Sequence, residues 1–210
     1  MIHDARLCLD EGELSQADAG QTKGFDLPRI EAAVREILIA IGEDADREGL
    51  VETPRRVAKA YAEMFGGLHA SPAAHLARQF AQDGNDPVMV TDIPFTSMCE
   101  HHLLPFSGVA HIAYQPQHDR VVGLSKLART VQILARRPQQ QERLTRQIRQ
   151  EIEEHLDPTG VLVMIEAKHS CMQIRGAKAH GATMKTRSVG GRWERDAATR
   201  REIQAMMAKT

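Results

Sequence analysis

The chain has 210 residues, of which 42% are hydrophobic, and this supports one globular domain with a small appendage. The formal net charge of −1 gives no general attraction to nucleic acid or to a membrane surface. No apolar run approaches the roughly 20 residues that a membrane span needs, and three widely spaced cysteines argue against a disulfide framework. We therefore expect a soluble cytoplasmic protein that has neither a nucleic-acid partner nor a membrane partner.

Composition predicts three parts along the chain. Residues 1–24 are acidic and polar, lack the pattern of a secretory signal, and are predicted to form a flexible tail. Residues 25–70 contain two helical patterns and are predicted to form an N-terminal helical region. Residues 71–210 begin with a polar linker, change to β-branched and aromatic residues, and are predicted to form the main domain.

Two amphipathic helices are predicted in the N-terminal region. In the first, apolar residues recur at helical spacing from Ile30 to Ile41, and Gly42 marks its end. In the second, Thr53 is a good N-cap and Pro54 suits the first helical position.

The main domain is predicted to contain two strands, two helices, two further strands and a final helix. β-Branched and aromatic residues predict the strands, and apolar residues at helical spacing predict the helices. In chain order these elements cover residues 88–98, 107–116, 123–137, 139–157, 160–174, 182–191 and 196–209. Such blocks, a ββααββ core with helices in front, predict an α+β fold with an antiparallel four-stranded sheet.

A cluster of metal-binding side chains lies on the connection between the first two strands. Cys99 and His102 are three residues apart, a spacing that lets both side chains reach one ion. His169 and Cys171 lie two residues apart on a later strand, where alternate side chains share a face. Two cysteines and one histidine suit Zn²⁺ and leave a fourth position for water.

The spacing alone leaves other interpretations open. His102 could equally be a buried histidine with ordinary hydrogen bonds. His101 or His169 could close the metal site as a fourth protein ligand, as in structural zinc sites. In an open site the same two histidines are candidates for proton transfer. Glu100 is a weaker candidate for a direct ligand.

Cations and a hydroxyl group lie near these motifs. Ser125, Lys126 and Arg129 follow the start of a predicted helix, where a phosphate group can bind. Arg175 and Lys178 follow the second cysteine motif closely and suit an anionic substrate. The alternative interpretation is that the helix cations form an ordinary solvated face.

A carboxylate and an amide begin the next predicted helix. Glu142, directly after Gln141, can accept two hydrogen bonds from the N1–H and N2–H₂ edge of guanine. The helix macrodipole explains an acidic residue at this position equally well.

Five segments together resemble the GTP cyclohydrolase I family. They are TPRRVAKAY, CEHHLLPFSG, VVGLSKLAR, RRPQQQERLT and EAKHSCMQIRG, and their order and spacing also match. The resemblance covers nearly everything from Pro28 to the C-terminal helix. It implies the tunnelling fold for residues 71–210, which would then be the catalytic domain. It also implies a homo-oligomer, a decamer of two stacked pentameric rings, with active sites between subunits.

The resemblance also implies a role for each matching residue. Three match zinc ligands: Cys99, His102 and Cys171. Two match catalytic histidines, His101 and His169. Glu142 matches the carboxylate that holds the guanine edge, with Gln141 beside it. The remaining matches surround the ribose and the triphosphate: Ser125, Lys126, Arg129, Arg175 and Arg56.

The reaction that the resemblance implies is hydrolysis of the guanine imidazole ring of GTP. Formate is released, and the ribose rearranges and closes onto the freed amine to give 7,8-dihydroneopterin triphosphate. The default pathway for this product is tetrahydrofolate biosynthesis, in which the reaction is the first step.

The strand from Ala182 to Val189 departs from the family, in which it is rich in Thr and Ser. Met184, Lys185 and Arg187 are expected to be outward-facing substitutions. They are the only feature that favours a second hypothesis, a relative that binds a purine or pterin without turnover. A third hypothesis, a zinc-stabilised nucleic-acid-binding module, conflicts with the near-neutral charge.

Overall fold

The computed structural model describes residues 24–207, so the predicted N-terminal tail, including Cys8, lies outside the described residues except for its last residue. Within this range no helix is long and apolar enough to cross a bilayer. Contacts divide the chain into two compact units, one that ends at Gly66 and one that begins at Gly67.

The first unit is a pair of helices, α1 (Leu27–Ala40) and α2 (Thr53–Met64), that pack against each other. The side chain of Asp26 caps α1 by accepting a hydrogen bond from the backbone N–H of Arg29 at 3.1 Å. Helix α2 begins one residue before the predicted position, so Thr53 is its first residue and not its cap.

The second unit contains a five-stranded sheet, a small two-stranded sheet and five helices with α-helical geometry. These elements are α3 (Ala73–Leu76), β1 (Gln79–Ala81), β2 (Val88–Cys99), β3 (Leu104–Gln115), β4 (Arg120–Val122), α4 (Leu124–Ala135), β5 (Pro138–Gln139), α5 (Gln141–Leu156), β6 (Gly160–His169), α6 (Ser170–Gln173), β7 (Met184–Gly191) and α7 (Ala197–Met207).

The large sheet has the order β5-β2-β3-β6-β7, and its four long strands are antiparallel. The predicted α+β class and ββααββ core are therefore confirmed. Two details differ from the prediction. A two-residue strand, β5, pairs in parallel with the end of β2, and β1 pairs with β4 in a separate sheet. These strands have two or three residues each, too few for an alternating pattern to reveal them.

Helices α4 and α5 contribute to the main core together with one face of the sheet. On α5 the buried apolar residues recur every four positions, as at Leu144, Ile148 and Ile152. On β6 the alternate residues Val161 and Val163 join the same core because successive strand side chains point to opposite faces. Leu162, between them, points to the other face of the sheet, where it packs with Trp193 and α7 in a second, smaller core.

The functional side chains lie where β2 and β6 end. Strand β3 pairs with both: Cys99 lies opposite Leu104, and Phe106 lies opposite His169. The shared neighbour β3 therefore brings the last residue of β2 and the last residue of β6 to one end of the sheet.

Candidate metal centre

Three potential metal ligands meet at this end of the sheet. The Sγ atoms of Cys99 and Cys171 and a ring nitrogen of His169 all lie within 4.8 Å of one another. Cys99 and His169 are buried, and Cys171 is partly exposed. Two sulfur donors and an imidazole nitrogen match the ligand preferences of Zn²⁺. The geometry thus brings together both cysteines that the sequence indicated.

The route by which His169 and Cys171 come together differs from the sequence prediction. The predicted strand over residues 160–174 ends at His169, and Cys171 belongs to the short helix α6. The two side chains therefore do not share the face of a strand. They meet because the chain turns into a helix immediately after the last strand residue.

The turn between β2 and β3 carries the other two histidines, and both side chains are exposed. His102 Nε2 lies 2.8 Å from Nη1 of Arg175. His101 Nδ1 lies 3.9 Å from the Cys99 sulfur, and its Nε2 lies 3.1 Å from the amide nitrogen of Gln140. His102 is therefore beside the three-residue cluster without belonging to it, and its role as the third ligand stays a prediction.

His169 is held on two sides. Its ring stacks on Phe106 with centroids 4.5 Å apart and planes within 3° of parallel. Its Nε2 lies 2.9 Å from Oε1 of Gln141. Burial lowers the pKa of His169, and the negative charge of Glu142 partly opposes this shift. The imidazole is therefore biased towards its neutral form.

Gln141 fixes which nitrogen of His169 carries the hydrogen. Its amide nitrogen lies 3.1 Å from two backbone oxygens, those of Ile165 and Met184, and 3.1 Å from the hydroxyl of Thr186. Because the carbonyls can only accept, the amide NH₂ faces them and Oε1 faces His169. His169 therefore donates through Nε2–H, and Nδ1 carries the lone pair.

The observed contacts of Gln141 are with protein atoms, whereas the sequence predicted a contact with the substrate. The residue is buried and its amide is occupied by protein partners. The sequence prediction placed it beside the guanine as a substrate contact, and that contact remains untested. Its partners lie 24 to 45 residues later in the chain, so no local pattern could have revealed them.

The surroundings of Cys171 affect the ionisation of its thiol. Burial raises the pKa of the Cys171 thiol, and the neighbouring Cys99 raises it further, whereas Arg175 acts in the opposite direction. A bound cation would relieve this repulsion because it stabilises both thiolates. The donor set therefore fits a metal ion both in its chemistry and in its electrostatics.

Glu142 begins the exposed face of α5. Its side chain is exposed, and no other described residue forms a hydrogen bond or an ion pair with its carboxylate. It is nevertheless close enough to His169 to influence the pKa of that ring. A carboxylate that is free, near the metal cluster and at a helix start can receive a ligand's hydrogen-bond donors.

The predicted phosphate ligands lie in several places. Ser125 is the second residue of α4, whose N-cap is Gly123. Ser125 and Arg129 are exposed, and Lys126 is half-buried. Arg175 is exposed beside the metal cluster. Arg56 lies exposed on α2 in the first unit.

The unusual strand β7 presents two hydroxyl groups, those of Thr186 and Ser188, on the face that α5 covers. The Thr186 hydroxyl lies 3.1 Å from Gln141 and 2.7 Å from the Thr145 hydroxyl, on the face that α5 covers. Lys185 and Arg187 point to the opposite face, where Lys185 forms a 2.9 Å ion pair with Glu166. The expected outward orientation therefore holds for both cations. It is wrong for Met184, which alternates with them and lies on the same face as Thr186.

The family model and the named relatives identify the same family. The family model described as GTP cyclohydrolase I matches residues 30–208. Proteins named GTP cyclohydrolase 1 from Bacillus mycoides (strain KBAB4) and Bacillus cereus (strain B4264) are each 57% identical over 178 residues, which is 85% of this chain and 94% of theirs. A crystal structure of the archaeosine synthase QueF-Like in the apo form matches with a TM-score of 0.44 and 15% identity, over 52% of this chain and 97% of that one.

Proposed function

Because this chain belongs to the GTP cyclohydrolase I family, we propose that it opens the guanine imidazole ring of GTP by hydrolysis, releases formate and forms 7,8-dihydroneopterin triphosphate. We place this reaction in the cytoplasm, as the first step of tetrahydrofolate biosynthesis. The observation that carries the proposal is the cluster of Cys99, His169 and Cys171, with the free carboxylate of Glu142 nearby.

The metal in this proposal is Zn²⁺, held by Cys99, Cys171 and His102. The two sulfurs already lie together, and His102 is on the turn that follows Cys99. When bound, Zn²⁺ acts as a Lewis acid that lowers the pKa of water towards neutrality. Three protein ligands are typical of catalytic zinc because they leave one position open.

The two other histidines move protons in this scheme. His169 accepts and releases a proton at Nδ1, because its Nε2–H is donated to Gln141. Burial keeps the ring neutral and therefore able to accept a proton as the imidazole of the substrate opens. His101, exposed on the turn beside Cys99, supplies a second group for the later proton transfers.

Base recognition is assigned to Glu142. Its carboxylate accepts hydrogen bonds from N1–H and N2–H₂ of guanine, a pair of donors that adenine does not present. A site built around such a pair rejects the wrong base strongly, because the carboxylate would be desolvated without partners. The cations at Lys126, Arg129, Arg175 and Arg56, with the hydroxyl of Ser125, are proposed to hold the ribose and triphosphate.

Turnover with and without a chelator tests the activity. We expect purified protein incubated with GTP to yield formate and a pterin that fluoresces after oxidation. A strong chelator should abolish both products, and added Zn²⁺ should restore them. If the metal-loaded protein binds GTP and yields no formate, the proposed hydrolase activity is wrong.

Steady-state kinetics with GTP test the role of Glu142. Replacement of one charged hydrogen-bonding partner costs about 1.5–3 kcal/mol, so Glu142→Gln should lower kcat/KM for GTP about 10- to 100-fold. Glu154→Gln, an exposed carboxylate on the same helix, is the control and should retain wild-type kinetics. Equal kinetics of the two variants with GTP would contradict the assignment.

A further inference from the structure

Five consecutive residues, 139–143, connect the parts of the candidate site. The backbone oxygen of Gln139 accepts a 3.0 Å hydrogen bond from the N–H of Glu100. The Gln140 amide lies 3.1 Å from His101, and Gln141 holds His169. Glu142 is the proposed guanine ligand. Residues 139–143 therefore contact the turn from Cys99 to His102, which we call the metal turn, and the buried His169. They also include the carboxylate that is proposed to bind the base.

Arg143 closes this connection with an ion pair. Its guanidinium contacts the carboxylate of Glu100, the residue between Cys99 and His101. The same guanidinium donates to the backbone oxygen of Pro138 at 2.8 Å and to Oε1 of Gln139 at 3.0 Å. Three acceptors on three different residues thus hold one planar group, which leaves Arg143 little freedom to move.

The surroundings make this pair different from an ordinary surface ion pair. The side chains of Arg143 and Glu100 are only 31% and 28% exposed, so solvent screens their attraction less than at the surface. Gln139 is fully buried and also donates to the oxygen of Leu134 and to Gln147. The pair therefore links the metal turn to the buried Gln139 in β5, just before the start of α5.

We propose that Glu100 and Arg143 are positioning residues that hold the turn from Cys99 to His102 in register with the start of α5. They fix the distance between the metal centre and the carboxylate of Glu142, and so place the atom to be attacked relative to the metal. This inference rests on the proposed function for its effect on turnover. Its effect on metal retention is independent of turnover.

The chain provides a matched control on the same helix. Arg149 and Glu153 also form an ion pair on α5, with side chains 16% and 31% exposed. Arg149 additionally contacts Ser188 on β7, and neither member contacts the metal turn. Glu153→Gln therefore removes a carboxylate of comparable burial from the same helix and leaves the metal turn intact.

The experiment compares Glu100→Gln, Arg143→Gln, the double variant and Glu153→Gln, all as full-length protein. Zinc affinity is measured by competition between the protein and a chromogenic chelator, with Zn²⁺ as the only ligand. The kcat and KM for GTP are measured at saturating zinc, and a melting curve reports global stability. Arg143→Lys, which keeps the charge and loses the planar fork, is included in case Arg143→Gln does not fold.

We expect each single variant to bind zinc about tenfold more weakly, as is typical when a partner behind the ligands is removed. At saturating zinc, kcat should fall at least tenfold with a smaller change in KM, because misplacement of reacting groups acts on the chemical step. The double variant should resemble the single variants, since the two residues act as a unit. Arg143→Lys should lie between wild type and Arg143→Gln.

Two results would overturn the proposal. One is that Glu100→Gln and Arg143→Gln match Glu153→Gln in zinc affinity and in kcat. The other is that the double variant shows the product of the two single effects, which would mean that the residues act independently. A wild type that binds zinc and yields no formate would instead refute the proposed function, and the zinc competition would still decide the positioning role.

Discussion

At the scale of single residues, His169 and His102 differ in the contacts that hold their rings. His169 is stacked on Phe106 and held by Gln141. His102 is exposed on the turn, where its Nε2 lies beside Arg175 and its ring is edge-on to the exposed ring of His101. An exposed ring of this kind can turn towards a metal, whereas the fixed ring of His169 is suited to hold a proton at a defined place.

The zinc content of two variants distinguishes these roles. We expect His102→Ala to lose bound zinc during dialysis, because an open site that loses one of three protein ligands binds metal weakly. His169→Ala should retain zinc and lose formate production. Elemental analysis of dialysed protein measures both. If His169→Ala loses the metal and His102→Ala keeps it, the ligand is His169 and the sequence assignment is wrong.

Gln141 provides a second test at this scale. Gln141→Leu has a similar volume, but it leaves the Nε2–H of His169 without its acceptor and removes the amide hydrogen bonds to the backbone oxygens of Ile165 and Met184. An unsatisfied buried polar group costs about 1–3 kcal/mol, so the variant should melt several degrees lower. It should also lose kcat, because His169 is no longer restricted to one tautomer. Nitrogen NMR of labelled histidine would show the Nε2–H form in wild type and a mixture in the variant.

The residue types and the order of the motifs were sufficient to predict the two cysteines at the metal centre. Each cysteine lies within three residues of a histidine, and this grouping of metal-binding residue types is visible along the chain. The contacts of Gln141 and the link between Glu100 and Arg143 could not be predicted. They depend on how α5 lies against β6 and β7, and a tertiary arrangement of this kind leaves no periodic signal in a single sequence.

At the scale of elements, the pairing of β3 with β6 positions His169. Gly108 on β3 allows the two backbones to approach. A Cβ there would lie 1.9 Å from the backbone oxygen of Glu166 and 2.6 Å from the Cα of Ala167. These are backbone atoms of a neighbouring strand, so they cannot move aside without disturbing the sheet.

Gly108→Ala should therefore destabilise the protein by about 1–3 kcal/mol and lower its melting temperature by roughly 3–10 °C. It should also weaken zinc binding, because Phe106 and His169 are a register pair two residues along the same strands. Gly181→Ala, at a position where a Cβ would meet no atom within 4 Å, is the control. A melting curve of Gly108→Ala that overlays the control curve would contradict this account.

The α+β class and the ββααββ core were predictable because the long strands and helices carry clear periodic patterns. The end of β6 was not. The apolar pattern of residues 160–174 continues beyond His169, so the strand was predicted to be longer than it is. The short helix α6 has four residues, fewer than one full apolar repeat, and its position depends on the surrounding loop.

At the scale of the whole molecule, neither edge of the large sheet is covered along its length by another strand of the described residues. Strand β7 forms one edge, and within the described residues the two-residue strand β5 covers only the end of β2 at the other. Such edges invite pairing with another chain. If β7 of one copy pairs with β2 of the next, the contact is head-to-tail and can close into a ring. The family resemblance implies two stacked rings of five subunits, so native mass spectrometry should find ten copies of the 23.3 kDa chain.

A mixing experiment tests whether the active sites lie between the subunits of such a ring. His169→Ala removes a proposed catalytic histidine, and Arg129→Ala removes a proposed phosphate ligand, so each variant alone should be inactive. If the two residues of one site come from different subunits, dissociation and reassembly of an equal mixture restores some intact sites. Random assembly gives intact pairs at up to about one quarter of the sites, and formate production should recover in that proportion. A mixture that assembles to the same mass and stays inactive would show that one chain supplies both residues.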